Sequence, residues 1–254
     1  MSDSEEEVIK KKSKPLKING KLPDSIIRIK NVDKVFHEKW EHGRNICDFP
    51  HPFRCVILGQ VGMGKSTLAK NIFLRTQAGK YPFQELIVIH GSSETKEWDE
   101  MEPTMILNDI PDPDDLVINN KKSCIIIDDF EFAKLPKQAL ANLSSLFRFV
   151  SSHHNFSIIL CYQSFFDVPT IIKKCANIFV IYKPNNLDEL TIIGKRVGMK
   201  KEIIISIFDN ALTEKRDTLT VDMTEDSPCK LRKNLFIPLV INNEDGQANK
   251  KRVS

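Results

Sequence analysis

With 254 residues, 41% of them hydrophobic and 28% charged, the chain can build one large α/β domain with appendages and has the composition of a globular protein. A formal charge of +3 neither demands nor excludes a nucleic-acid partner, so the placement of charge matters more than its sum. The six scattered cysteines lack a Cys-x-x-Cys pair and read as reduced core thiols. No apolar run approaches the ~20 residues of a membrane-spanning helix, and MSDSEEEVIKKKSK has no secretory character. These features point to a reducing, cytoplasm-like compartment and to no membrane partner.

Residues 1–25 are acidic and then basic, a composition expected of a disordered charged tail, and residues 241–254 read the same way. Residues 26–240 between them form the expected folded domain. Five short apolar runs have the length and β-branched content of buried parallel strands: RCVILG (54–59), ELIVIHG (85–91), SCIIIDD (123–129), FSIILCYQ (156–163) and NIFVIY (177–182). Between the third and fourth, a segment opening at Pro136 carries Leu140, Leu143, Phe147 and Val150 on one helical stripe. Segments 187–198 and 200–212 read as helices, and DTLTVDM and LRKNLFIPLVI as further strands. This alternation predicts an α/β fold with a mainly parallel sheet sandwiched between helices.

The first run leads into GQVGMGKST, in which Gly59, Gly64, Lys65 and Ser66 fit G-x-x-x-x-G-K-[ST]. Glycines let such a loop curl its N–H groups inward onto phosphate oxygens, and the following helix adds its positive end. The expected nucleotide contacts are Gly59, Gln60, Val61, Gly62, Met63, Gly64, Lys65, Ser66 and Thr67. Lys65 would reach the β- and γ-phosphates of ATP, and Ser66 would ligate Mg²⁺.

CIIIDDFEF supplies the acids. An apolar strand delivers Asp128 and Asp129 at its carboxyl end, where ligands gather in open α/β sheets. Asp128 is placed to hold the Mg²⁺ shell, and Asp129 to orient or deprotonate an attacking water. Glu131 is a second candidate base. The fourth run ends at Gln163, placed to sense the γ-phosphate from beside the loop strand. This chain order puts an extra strand between the loop strand and the acidic strand. That arrangement marks the ATP-driven motor division of P-loop NTPases and weighs against kinases and GTPase switches.

GQVGMGKS, IIIDDF and SSHHNFSIILCYQSFFDVPTIIKKCANIFVIY together resemble the genome-packaging ATPases of large DNA viruses and virophages, the poxvirus-type branch of the FtsK/HerA superfamily. The similarity spans roughly residues 53–196. Its more telling parts are the double aspartate, the His153-x-Asn155-x-Ser157 lead-in to the fourth strand, Gln163, and VPTIIKKCANIFVIY. The resemblance implies an ATP-hydrolysing motor that forms a homo-oligomeric ring and threads double-stranded DNA into a capsid. A capsid or portal component would be a further partner, and the site of action would be the host cytoplasm, a viral factory or the virion.

In one place the chain departs from that pattern. Relatives tend to carry an arginine just before the histidine of the lead-in, whereas this chain has Ser151 and Ser152. If that arginine serves a neighbouring subunit's phosphate, Arg148 or Arg196 must replace it. For DNA the candidates are Lys121–Lys122, Lys173–Lys174, Lys200–Lys201 and KLRK at 230–233. No base-reading motif accompanies them, so contact with the DNA backbone, independent of sequence, is expected. Other readings remain open: a helicase or partition-type P-loop ATPase, or a nucleotide-binding assembly factor without strong turnover.

Overall fold

A computed structural model describes residues 44–79, 82–92, 95–116, 121–184 and 186–239; both expected tails lie outside them. In chain order the strands are β1 (Arg54–Leu58), β2 (Glu85–His90), β3 (Met105–Leu107), β4 (Ser123–Asp128), β5 (Phe156–Tyr162), β6 (Ile178–Tyr182), β7 (Thr218–Asp222), β8 (Leu231–Lys233) and β9 (Ile237–Pro238). The helices are α1 (Lys65–Gln77), α2 (Pro113–Leu116), α3 (Lys137–Ser145), α4 (Ser151–His153), α5 (Thr170–Cys175), α6 (Leu187–Arg196) and α7 (Lys201–Asn210). A π-helical turn, Leu146–Val150, joins α3 to α4.

The strands form one sheet in the order β3-β2-β4-β5-β1-β6-β7-β8-β9. Pairing is parallel from β3 to β6, and β7, β8 and β9 continue the sheet antiparallel. All five apolar runs are strands of the parallel part. The extra strand expected from chain order is β5, which separates β1 from β4.

Alternation along each strand divides the core. Cys55, Ile57, Val88, Ile126 and Ile159 face one side, where α1 covers them with Leu68, Ile72 and Phe73. Val56, Leu58, Ile89, Ile127 and Leu160 face the other, against Leu143, Phe147 and Val150 and against Leu190, Ile193 and Ile204 of α6 and α7. Strands covered on both faces need no polar alternation, which is why they read as continuous apolar runs.

Three expectations need correction. Leu140 does not join the stripe of α3; it is 37% exposed, while Leu143, Phe147 and Val150 are buried. LRKNLFIPLVI is not one strand, because Asn234 and Leu235 adopt positive φ (52° and 73°) and fold it back as the β8–β9 hairpin. KLRK is not a free basic patch. Lys233 pairs with Asp217 at 2.7 Å, and Arg232 is buried.

Arg232 belongs to a buried ion cluster. Arg44 pairs with Asp48 at 3.0 Å and with Asp222, and Arg232 pairs with Asp48 and, at 3.6 Å, with Asp222. Two arginines and two aspartates thus neutralise one another and tie the segment before β1 to β7 and β8. Four cysteines, Cys47, Cys55, Cys124 and Cys161, are buried free thiols, as their apolar surroundings imply. Among the described residues no helix is long and apolar enough to cross a membrane.

Candidate functional site: a phosphate cradle at the strand tips

The loop 59–64 connects the carboxyl end of β1 to the first turn of α1. Gly62 and Gly64 adopt φ of 77° and 96°, a left-handed conformation that lets the chain turn back over the helix start. Gly59 is needed for a different reason. A Cβ there would sit 2.7 Å from Tyr182 Cδ2, so only glycine allows the loop to pass that ring. The Gly59 N–H donates to Tyr162 O at 3.1 Å, joining the cradle to the end of β5. Lys65 Nζ donates to Gln60 O at 3.0 Å and so lies back across its own loop.

The acidic strand ends beside this cradle. Asp128 is 3% exposed, with the Ser66 hydroxyl and the Cys161 thiol close enough to favour its charged form. Burial pushes its carboxyl above the usual carboxylate range; the Ser66 bond opposes the rise, Glu97 adds to it, and His90 and Cys161 oppose it. One of its oxygens, Oδ2, is buried with no hydrogen-bond partner. A hydroxyl and a buried carboxylate with a spare oxygen are hard donors, and the set fits a magnesium ion.

Asp129 follows with φ of 48° and is exposed at the sheet's carboxyl edge. Its carbonyl lies against Gly91, where a Cβ would stand only 2.4 Å from the Asp129 oxygen. Glu131 is also exposed and pairs with Lys134 at 2.8 Å, so its carboxylate already has a cation. Gln163 follows β5 directly. It lines an open cleft of about 480 Å³ together with Gly59, Gln60, Ser164, Tyr182 and Glu189.

No protein-family model matches the chain, and no curated protein matches it. Solved structures do. The genome packaging NTPase of Sulfolobus turreted icosahedral virus 2 in complex with ATP-gammaS superposes with a TM-score of 0.54 at 16% identity, covering 74% of this chain and 98% of that one. The same NTPase with sulfate gives 0.51 at 18%, covering 75% and 99%, and with AMPPCP 0.51 at 15%, covering 75% and 100%. The chain has the fold of an additional-strand P-loop NTPase, with β5 as the extra strand between β1 and β4.

Within this P-loop fold, Gly59, Lys65, Ser66, Asp128, Asp129 and Gln163 all lie at the carboxyl edge of the parallel strands. Arg148 does not. It is exposed in the π-turn that precedes α4, with its guanidinium 5.2 Å from the Phe149 ring centroid. Arg196 is part-buried over Phe179 at 5.7 Å, held by its own core. Of the DNA candidates, Lys121 pairs with Glu85 at 2.6 Å, and Lys173 donates to Phe166 O at 2.9 Å. Lys174, Lys200 and Lys201 are exposed.

Sequence reasoning missed three site residues. Tyr182 braces the P-loop, its hydroxyl donating to Gly64 O at 3.2 Å. An aromatic residue ending a strand next to β1 was the available signal. His90 and Glu97 approach Asp128 from β2 and from the segment after it. Their sequence separation gave no sign of that.

Proposed function

We propose that this chain is an ATP-hydrolysing motor that moves double-stranded DNA independently of sequence and packages it into a capsid, in the manner of the poxvirus-type packaging ATPases. The observation that carries the reading is the convergence of Lys65, Ser66 and the half-satisfied Asp128 at the tips of strands separated by β5. The likeness in fold to a genome packaging NTPase bound to nucleotide analogues supports it. Residues 26–240 are the motor domain in this reading. It acts in the host cytoplasm or a viral factory, or in the virion, with a capsid or portal component as partner.

The chemistry follows from the placement of groups. Loop N–H groups beyond Gly59 and the α1 N-terminus receive the phosphates of ATP, and Lys65 leaves Gln60 O to meet the β- and γ-phosphates. Ser66 and Asp128 would hold magnesium, which when bound supplies positive charge against the triphosphate. Asp129, which has no ion-pair partner among the described residues, orients the attacking water and takes its proton; Glu131, paired with Lys134, is the weaker candidate. Gln163 reports the state of the γ-phosphate to the cleft beside β6. In a ring, Arg148 serves the neighbour's phosphate, because it is exposed while Arg196 is engaged with Phe179.

The test is ATP turnover by the assembled protein with and without duplex DNA. Stimulation should be independent of sequence and fall steeply with salt, because released counterions supply the affinity. Turnover indifferent to duplex would sink the motor and favour the assembly factor, and strand displacement would favour a helicase.

A further inference from the structure

We infer that His90, Glu97 and Asp128 form a binding site for a divalent transition-metal ion of the zinc class, which shares Asp128 with the Ser66–Asp128 magnesium pair and differs from it in its His90 and Glu97 donors. The inference uses the acidic tip of β4 but does not require that the protein bind nucleotide.

A ring nitrogen of His90 and one carboxylate oxygen each of Glu97 and Asp128 lie within 4.8 Å of one another. The strand register explains the first pairing. His90 and Asp128 end the parallel neighbours β2 and β4 and stand directly opposite each other. Glu97, seven residues beyond His90, is held in place from α1. Lys70 of α1 donates to Glu97 O and pairs with Glu100 at 2.9 Å, and its ammonium lies 5.1 Å from the centroid of the fully buried Trp98 ring. The backbone of Glu97 is therefore anchored to the helix that carries Ser66.

The donors are short of partners. Asp128 is 97% buried with Oδ2 unpaired, and among the described residues no cation lies within ion-pair distance of the Glu97 carboxylate. Two carboxylates this close are relieved either by a proton on one of them or by a cation that joins both. His90 Nδ1 lies 3.2 Å from Ser92 O, and in the tautomer whose Nδ1–H donates to that carbonyl the Nε2 lone pair is left to ligate, the second contact that orients a metal-bound imidazole. Two carboxylates and one neutral imidazole balance a divalent charge. Magnesium prefers oxygen donors and water, whereas an imidazole among carboxylates suits zinc, cobalt and their neighbours.

The test uses the full chain without nucleotide, titrated with Co²⁺ and followed by visible absorption, then challenged with Zn²⁺. One saturable ion per chain is expected, displaced by zinc. His90→Gln and Glu97→Gln should each weaken binding by about tenfold or more. Lys65→Ala should lose binding of a fluorescent ATP analogue yet keep the cobalt signal, which separates this site from the nucleotide reading. Circular dichroism checks that the variants fold, and Glu97→Gln, at an exposed position, carries the test if His90→Gln does not. The inference is overturned by absence of saturable binding, by full affinity in a folded Glu97→Gln variant, or by thiolate charge-transfer bands that would assign the ion to Cys161.

Discussion

Gly91→Ala tests the role of Asp129 without touching its side chain. Gly91 lacks the positive φ that favours glycine, so the substitution strains no backbone angle of its own. Its new Cβ would instead meet the Asp129 carbonyl oxygen at 2.4 Å, where an ordinary contact begins near 3.4 Å. The tip of β4 must therefore retreat by about 1 Å, and a displacement of that size at a reacting group costs on the order of a hundredfold in rate. Overpacking should also cost roughly 1–3 kcal/mol, a fall of several degrees in Tm, so turnover is measured well below the transition. Binding of a fluorescent ATP analogue should stay near normal, because loop 59–64 is not displaced. Gly59→Ala is the contrast: its Cβ meets Tyr182 at 2.7 Å, and it should weaken binding itself. A folded Gly91→Ala protein that hydrolyses ATP at the normal rate would refute the placement of Asp129 at the reacting water.

Asp129→Asn should bind ATP but turn it over about a hundredfold or more slower, whereas Glu131→Gln should change turnover little; the reverse pattern in steady-state assays moves the base to Glu131. Lys65→Ala should abolish hydrolysis and strongly weaken nucleotide binding. Arg148→Ala should bind ATP normally and hydrolyse it poorly, with activity recovered on mixing with Lys65→Ala; normal turnover by Arg148→Ala alone would leave Arg148 a solvated residue and shift attention to Arg196. Burial, with a smaller push from Lys122, lowers the pKa of His51 to about 3. The fold holds this ring neutral while the unfolded chain takes up a proton near pH 6.5, so stability should fall as pH drops from about 6.5 toward 3. The slope is at most about 1.4 kcal/mol per pH unit, less to the extent that solvent reaches the ring. Denaturant unfolding of His51→Gln should show a flatter profile over that range, and an unchanged profile would exclude His51 as the source.

The parallel half of the sheet was legible because strands buried on both faces leave an unbroken apolar signature, as in CIII and SIILC. The cradle was legible because its glycines and its Lys-Ser pair answer to local backbone geometry. Elements set by distant contacts were not. β3 is three residues long and pairs, among the described residues, only with Ile87–Ile89 of β2, too short for any period to show. The break in LRKNLFIPLVI depends on two residues with positive φ, one of them a leucine, which local preference would never place there. The π-turn at Leu146–Val150 lets Phe147 and Val150 stay buried while Leu140 comes out to solvent, a shift that an ideal helical wheel does not contain. Tyr182, His90 and Glu97 reach the site only through the order of strands and through Lys70.

The buried cluster of Arg44, Asp48, Asp222 and Arg232 also sets a timetable for synthesis. Arg44 finds Asp222 across 178 positions of chain, and Asp48 finds Arg232 across 184. At roughly 5–20 residues per second, the earlier pair must remain hydrated for on the order of ten seconds or more before its counterions emerge from the ribosome. For the earlier part of that interval β1, the first strand among the described residues, lacks β5 and β6 on its two sides, and the segment in front of it has only α1 to fasten to, through Asn45 and Thr76. The nascent chain therefore cannot close its nucleotide cradle early, because the sheet around it is completed from the far end. A pause once residue 182 has left the ribosome would leave β5, β1 and β6 assembled but the cluster open, an interval in which a chaperone would meet Arg44 and Asp48 unpaired with their distant partners.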